Sequence, residues 1–182
     1  MNHRSFLYYD SFETPVGPIT VLANDEGVCR IDYGHSQERM AFFQTWKKKH
    51  LLKGELVYEP DHTYVKQAIK EIDEFFNGDR REFSVPLNCY GTEFQRKVWR
   101  NLLHTIPFGE TRTYKDIAES LASPKAVRAV GGAINKNPFA IVVPCHRVIG
   151  SNGKLVGYAG GLDKKQQLLD LEKNQTVVKM NK

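Results

Sequence analysis

Cysteine is scarce in this chain: Cys29, Cys89 and Cys145 are the three in 182 residues. Three thiols cannot build a disulfide framework, and an odd number leaves at least one free. A secreted disulfide scaffold is therefore excluded, and a reducing, cytoplasmic setting is expected. Also missing is any apolar run near the ~18 residues that a membrane span needs, and residues 1–10 lack the apolar stretch of a secretory signal. No internal repeat and no low-complexity tract occurs, so solenoid and collagenous architectures are excluded. Core material is not lacking. Hydrophobic residues make up 41% and aromatic residues 11%, which excludes global disorder. The length allows one domain or two small ones.

Acidic charge is short in one half only. Residues 1–86 hold 11 Lys/Arg against 14 Asp/Glu, net −3, whereas residues 87–182 hold 15 against 7, net +8. The extended stretch Phe83-Ser84-Val85-Pro86-Leu87 reads as the connector between them. A basic half beside a mildly acidic one suits a polyanionic partner, with chance surface variation as the alternative.

The first half reads as strands followed by helices. Runs 6–12, 18–22 and 28–33 are β-prone, with turn signals at Pro15-Val16-Gly17 and Asn24-Asp25-Glu26-Gly27. A helix over 36–50 places Met40, Phe43 and Trp46 on one face. A second over 62–76, N-capped by Asp61 and stopped by Gly78, carries Val65, Ala68, Ile69, Ile72 and Phe76 at helical period. Cys29, beside Val28 and Ile31, reads as a buried core residue.

The second half reads as helical. Thr92 and Gln95 form a capping box ahead of an apolar face of Phe94, Val98 and Leu102. Thr113 with Asp116 starts another helix. Ser123-Pro124 starts a third, as N-cap and first helical residue, with Ala126, Val127, Val130 and Ile134 inward. The pair forms a helix-turn-helix pattern. A last helix over 163–173 packs through Leu168, Leu169 and Leu171, and residues 175–182 read as a frayed tail. The fold class is α/β (α+β). A small strand-rich N-terminal domain, 1–86, is followed by a mainly helical domain with a helix-turn-helix, 87–174, and by a flexible tail, 175–182.

Two stretches carry chemistry. In the helix after Ser123, Gly131 and Gly132 are adjacent. Each costs roughly 1 kcal/mol relative to Ala, so a close approach is expected there, by another helix or by a nucleic-acid backbone. Arg128 is flanked by small residues. The second stretch is Ile141-Val142-Val143-Pro144-Cys145-His146-Arg147-Val148. Pro144 ends regular pairing and shapes a turn. A thiol beside an imidazole and a guanidinium is placed to become a nucleophilic thiolate, with Glu172 as a candidate to orient His146. The alternative is a buried Cys beside a structural His. No second ligand pair stands at metal spacing.

Pro144-Cys145-His146-Arg147-Val148 resembles the active-site signature of the O6-alkylguanine-DNA alkyltransferases (methylated-DNA–protein-cysteine methyltransferases). Further blocks resemble that family in the same order: Phe94-Gln95-Val98-Trp99, Ile106-Pro107-Phe108-Gly109, Thr113-Tyr114, Arg128-Ala129-Val130-Gly131-Gly132-Ala133, Asn137-Pro138 and Gly157-Tyr158-Ala159-Gly160-Gly161. They span about residues 87–173, and the N-terminal part carries no distinctive motif.

The resemblance implies direct repair of duplex DNA. An alkyl group would pass from O6 of guanine, and from O4 of alkylthymine as a second substrate, to Cys145, once per molecule. Catalytic roles would fall to Cys145 as acceptor, His146 as base through a water, Glu172 as its orienter, Tyr114 as donor to the guanine ring, and Asn137 as a tie between recognition helix and active-site turn. The DNA face would comprise Thr113, Ala126, Arg128, Ala129, Gly131 and Gly132, with the helix in the minor groove and Arg128 filling the gap left by a flipped base. Val148, Gly157, Tyr158, Ala159 and Gly160 would wall the base pocket. Position 159 is Ala where some relatives have Ser, and tolerance of bulky adducts depends on it. No cofactor, no metal, no membrane and no obligate protein partner is expected, for a monomer in the cytoplasm. Other readings left open are a lesion binder without chemistry, a cysteine hydrolase using Cys145, His146 and Glu172, and a DNA-binding regulator.

Overall fold

A computed structural model describes residues 6–50 and 52–180; positions 1–5, inside the stretch read as lacking a signal, and 181–182 of the expected tail lie outside the described residues. The chain divides into two compact units, Met1–Tyr90 and Gly91–Lys182. The expected boundary at residue 86 lies four residues earlier. Residues 86–88 belong to the first unit because Val28 donates to the Pro86 carbonyl at 2.8 Å and accepts from the Asn88 amide at 2.7 Å. The four intervening residues carry no charge, so the charge contrast is unchanged.

The first unit is a four-stranded sheet with two helices. Strands β1 (Phe6–Phe12), β2 (Ile19–Asn24) and β3 (Gly27–Tyr33) form an antiparallel meander. The order is β3-β2-β1-β4, and β4 (Glu55–Tyr58), which the sequence reading missed, pairs parallel with β1. It escaped notice because it is four residues long with half-buried and exposed positions only. Helix α1 (Ser36–Lys49) packs Phe43 and Trp46 against Leu7, Leu22 and Cys29. Met40, expected on the same face, is half-buried. Successive strand residues point to opposite faces. Residues 19–23 of β2 are all buried, so both faces of the sheet are covered, α2 (Thr63–Asn77) lying against β1, β2 and β3. Cys29 is a core residue as expected, and burial pushes its thiol up to about 12. The expected cap on α2 is corrected: His62 is the N-cap, and Asp61 instead pairs with Lys66 at 2.8 Å.

Glu71 of α2 is buried, and it fastens the connector. Its carboxylate accepts from the amides of Ser84 (2.8 Å) and Val85 (3.1 Å), the Ser84 hydroxyl and Gln67. Burial pushes the carboxyl up, but these hydrogen bonds outweigh it and hold it below the ordinary range.

In the second unit, α3 (Glu93–Thr105) begins at the expected Thr92–Gln95 capping box and buries Val98, Trp99 and Leu102. Phe94 is 36% exposed rather than inward, because it stands in the first turn ahead of the packed ridge. Trp99 donates its indole N–H to the Ala133 carbonyl at 2.9 Å, tying α3 to α5 (Val127–Asn135). The expected helix-turn-helix is formed by α4 (Tyr114–Ser120) and α5, joined through a 3₁₀ turn at Pro124–Ala126. Ser123 stands at the N-cap position of that turn and Pro124 opens it, as expected, but the Ser123 hydroxyl makes no cap bond and donates to the Leu121 carbonyl. The inward face of α5 is Val130, Ala133 and Ile134, while Val127 is exposed and Ala126 half-buried. Two short strands, β5 (Arg112–Thr113) and β6 (Val148–Ile149), pair in parallel, joining the start of α4 to the chain just past Cys145.

The last helix, α6 (Leu162–Met180), continues through 175–180, where a frayed tail was expected. Among its described side chains Lys165, Leu168 and Glu172 are buried, spaced three and four apart on one face. Leu169 and Leu171, expected to pack, are half-buried. Among the described residues, no helix is long and apolar enough to cross a membrane.

Replacing Glu71 by Ala leaves the Ser84 and Val85 amides without their acceptor and is expected to cost about 1–3 kcal/mol in urea unfolding. Because the folded-state pKa lies below the unfolded one, this stabilisation is present above the ordinary glutamate pKa and fades as pH falls through the depressed value. The gap between wild type and Glu71→Ala should therefore close under acid conditions.

Candidate functional site

The site is built where residues 137–148 fold into a series of tight turns. Asn137 is the clasp. Its Nδ2 donates to the carbonyls of Phe139 (3.2 Å) and Val143 (3.1 Å) and to the Cys145 sulfur (3.0 Å), while its Oδ1 accepts from the Phe139 amide at 2.9 Å. Between these bonds the backbone is strained. Ile141 has φ +70° and the Val142 amide bonds back to Ala140 at 2.8 Å, a γ-turn of the strained kind on a β-branched, fully buried residue. A second such bond, from the Cys145 amide to Val143 at 2.8 Å, turns the chain at Pro144. The turn expected from Pro144 is thus present, and it presents Cys145 at the head of a 3₁₀ turn, Cys145–Arg147.

Cys145 is buried, and the expectation that His146 and Arg147 would draw its thiol toward thiolate is corrected. Burial pushes the thiol up, opposed by the Asn137 hydrogen bond and by Lys165. His146, through Nε2, and Arg147, through Nε and Nη2, bond Glu172 of α6 instead. His146 Nε2 lies 2.7 Å from Glu172 Oε1, and Arg147 donates from Nε to both carboxylate oxygens (3.0 and 3.1 Å) and from Nη2 to Oε1 (3.0 Å). Nη1 of Arg147 reaches the Ile106 carbonyl at 2.8 Å, and the Gly109 amide donates to Glu172 Oε2 at 3.0 Å. Burial pushes Glu172 up, but His146 and Arg147 together hold it at about 2. Burial lowers His146 against the opposing pull of Glu172. An ionised carboxylate can only accept, so Nε2 carries the proton of this bond, and burial favours the neutral ring. Nδ1 is fully buried, without a hydrogen-bond partner among the described residues, and its lone pair is available to accept a proton.

Lys165 was missed by sequence reasoning. It is fully buried, and its ammonium donates to the carbonyls of Val148 (2.5 Å), Val156 (2.9 Å) and Gly157 (3.4 Å). Tyr114 donates its hydroxyl to Val156 (2.9 Å), with Gly157 at 3.3 Å. Lys165 thus joins Val148 to the loop that carries Gly157, and Tyr114 ties the start of α4 to that same loop. Burial lowers Lys165 to about 8 and raises Tyr114, so the phenol keeps its proton. No amphipathic signal marked Lys165, since a lysine on a charged helix reads as solvated.

The structure therefore brings together Cys145 with Asn137, His146 with Glu172, and Tyr114 with Gly157, which Lys165 links to Val148. Thr113 caps α4, accepting from the Asp116 amide at 3.1 Å. Tyr158 is half-buried and Ala159 exposed; Gly160 is half-buried. Arg128, Ala129 and Gly132 lie on the exposed side of α5 with Ala126 at its edge. The two glycines now separate. A Cβ on Gly131 would meet the Tyr114 ring at 3.7 Å, an ordinary contact, whereas one on Gly132 would meet nothing within 4 Å. No internal neighbour demands glycine at 132.

Residues 93–174 match the family description "6-O-methylguanine DNA methyltransferase, DNA binding domain", and residues 7–89 match its "ribonuclease-like domain". The chain belongs to the 6-O-methylguanine DNA methyltransferase family. Proteins named methylated-DNA–protein-cysteine methyltransferase are similar along the whole length. That of Mycolicibacterium paratuberculosis is 52% identical over 177 residues, covering 93% of this chain and 94% of its own. That of Methanosarcina barkeri (strain Fusaro) is 43% identical over 168 residues, covering 92% and 98%. Among solved structures, Mycobacterium tuberculosis OGT in complex with DNA superposes with a TM-score of 0.78 at 38% identity, covering 92% of this chain and 94% of that one. The α+β first unit and helical second unit are thus those of a methyltransferase of this family.

Lys165 provides a pH test of the site. Its folded-state pKa, about 8, lies below the ~10.4 of free lysine, so between these values unfolding takes up a proton at this residue. Its contribution to stability rises with pH over that window. The difference between wild type and Lys165→Met, followed by denaturant melts, is expected to grow in favour of wild type from about pH 8 upward.

Proposed function

We propose that this chain repairs DNA by transferring an alkyl group from O6 of guanine in duplex DNA irreversibly to Cys145. It is an enzyme of the methylated-DNA–protein-cysteine methyltransferase kind, and DNA is its partner; family membership and full-length relatives of that name support both statements. The observation that carries the assignment of Cys145 is a buried free thiol next in sequence to an imidazole that Glu172 orients and whose buried Nδ1 has no hydrogen-bond partner among the described residues.

In the proposed reaction His146 Nδ1 takes the Cys145 proton through one water. The sulfur attacks the alkyl carbon as the C–O6 bond breaks, its electron pair passing to the guanine. Tyr114 donates a proton to the ring as that negative charge develops, and Glu172 compensates the imidazolium formed. The products are S-alkylcysteine and restored guanine. Thiolate is a poor leaving group from the saturated carbon of a thioether, so no step regenerates the thiol and each molecule reacts once. Deep burial of the thiol suits such chemistry: Cys145 stays protonated until substrate arrives, and stray electrophiles meet little thiolate.

The target base reaches a buried sulfur only outside the helical stack. The α5 side bearing Arg128, Ala129 and Gly132 enters the minor groove, and Arg128 occupies the space the base leaves. Val148 and the stretch Gly157-Tyr158-Ala159-Gly160 wall the pocket that receives it. The net +8 of the second unit favours the phosphate backbone. O4-alkylthymine presents the same alkyl–oxygen bond and is the second substrate. A hydrolase would need turnover, which thioether formation denies.

Intact-mass spectrometry after incubation with excess O6-methylguanine duplex is expected to show a gain of one CH2, at one equivalent, mapped to Cys145 and absent in Cys145→Ala. Tight lesion binding without a mass change would instead indicate a binder without chemistry. For the DNA face, Gly132→Leu meets no internal obstacle, so thermal stability should be kept or raised. Affinity for duplex DNA should fall about tenfold or more, as expected where a backbone approaches closely. Unchanged affinity would remove Gly132 from the interface.

A further inference from the structure

Arg147 is the only one of the three residues in the Cys145–Arg147 turn without a part in the proposed reaction, yet it makes the most bonds. The residue is 6% exposed, and its guanidinium spends three contacts of 3.0–3.1 Å on Glu172 and one of 2.8 Å on the Ile106 carbonyl. Such a fork-on-carboxylate arrangement is geometrically specific. Its consequence falls on the neighbour. A buried carboxylate bonded to an imidazole alone draws a proton onto that imidazole, because an imidazolium is its nearest compensating charge. An imidazolium has no lone pair and cannot act as a base.

We propose that Arg147 is a positioning residue for the alkyl transfer, holding Glu172 and supplying its counter-charge so that His146 remains neutral with Nδ1 open as proton acceptor. The inference deepens the function proposed above and rests on it for the meaning of that base. The groups facing His146 are Glu172 and Lys165 from α6 and Arg147 and Cys145 from its own turn. Glu172 favours the imidazolium, whereas Arg147, Lys165 and burial disfavour it. With Arg147 present, Glu172 and Arg147 sum to zero charge and a neutral ring completes a balanced buried group. Without Arg147 the balance is restored by protonating His146. Adjacency in sequence has a purpose on this view: one turn delivers both the base and the cation that keeps it unprotonated to a single carboxylate. The Ile106 contact fixes the guanidinium from its far side, so the fork cannot swing away from Glu172.

The test reads the imidazole directly, by long-range 1H–15N correlation spectra of the full-length protein across pH. The chain has six histidines, and the His146 signals are assigned by their loss in His146→Gln. Wild type is expected to show a neutral ring protonated at Nε2 at pH 7. In Arg147→Met the His146 midpoint should rise by about one pH unit or more, and single-turnover methyl transfer at pH 7 should slow about tenfold, recovering as pH is raised past the new midpoint. Arg147→Gln, which keeps a donor but not the charge, is read the same way if the Met variant fails to fold. Arg147→Lys should restore most of the wild-type midpoint, and adding Glu172→Gln to Arg147→Met should return the ring to neutral. A folded charge-removing variant whose His146 remains neutral at pH 7, with an unshifted midpoint, would overturn the proposal. A His146 that stays protonated in the double variant would do the same. The spectra need no alkyl donor, so a failure of the functional reading, seen as no S-alkylation of wild type, is separable from a failure of this one.

Discussion

One buried carboxylate holds the second unit of this protein together around its chemistry. Glu172 accepts from the His146 imidazole, the Arg147 guanidinium and the Gly109 amide, which come from two separate stretches of chain. An unpaired carboxylate in that position would be costly, so each donor is needed, and each is thereby fixed. The turn after Pro144, the stretch around Gly109 and helix α6 meet at this point. The orientation of the imidazole and the direction of its Nδ1 follow from it.

Two further polar side chains extend the same principle. Asn137 satisfies the backbone of a strained segment and reaches the Cys145 sulfur in the same gesture. Lys165 fastens carbonyls from β6 and from the loop beyond residue 155. Buried polar groups contribute little net stability against an apolar alternative, but they fix geometry closely because each misplacement leaves a group unsatisfied. That trade suits a site that must hold a thiol ready without ionising it. Burial keeps Cys145 protonated, and Lys165 stands near enough to favour the thiolate once a base has taken the proton.

Much of the frame was legible in the residues. The meander of β1 to β3, the helices α1 to α5 and the capping boxes at Thr92 and Thr113 are local features, and local patterns report them. Errors arose where tertiary contacts set the outcome. Strand β4 has no period of its own and exists because β1 offers it an edge. Ser123 has the right chemistry for a cap, but the first turn is 3₁₀ and its hydroxyl goes elsewhere. Val127 and Phe94 are apolar and exposed, because the ridges that pack begin three or four residues later. Helix α6 was shortened and given a leucine ridge, since its true buried face of Lys165, Leu168 and Glu172 looks polar on paper.

The sequence by itself determined the meander and the main helices, the charge contrast between the units and the motif around Cys145, because each rests on neighbours in the chain or on residue identity. Glu172 was named as partner of His146, but not the reason it could serve. Only the tertiary structure decided that Arg147 faces Glu172 rather than the thiol, that Lys165 is buried, and that Gly132 has open space where Gly131 has the Tyr114 ring. Those outcomes depend on which distant segments share a low-dielectric interior, where a charge must find its partner, and chain spacing does not encode that proximity.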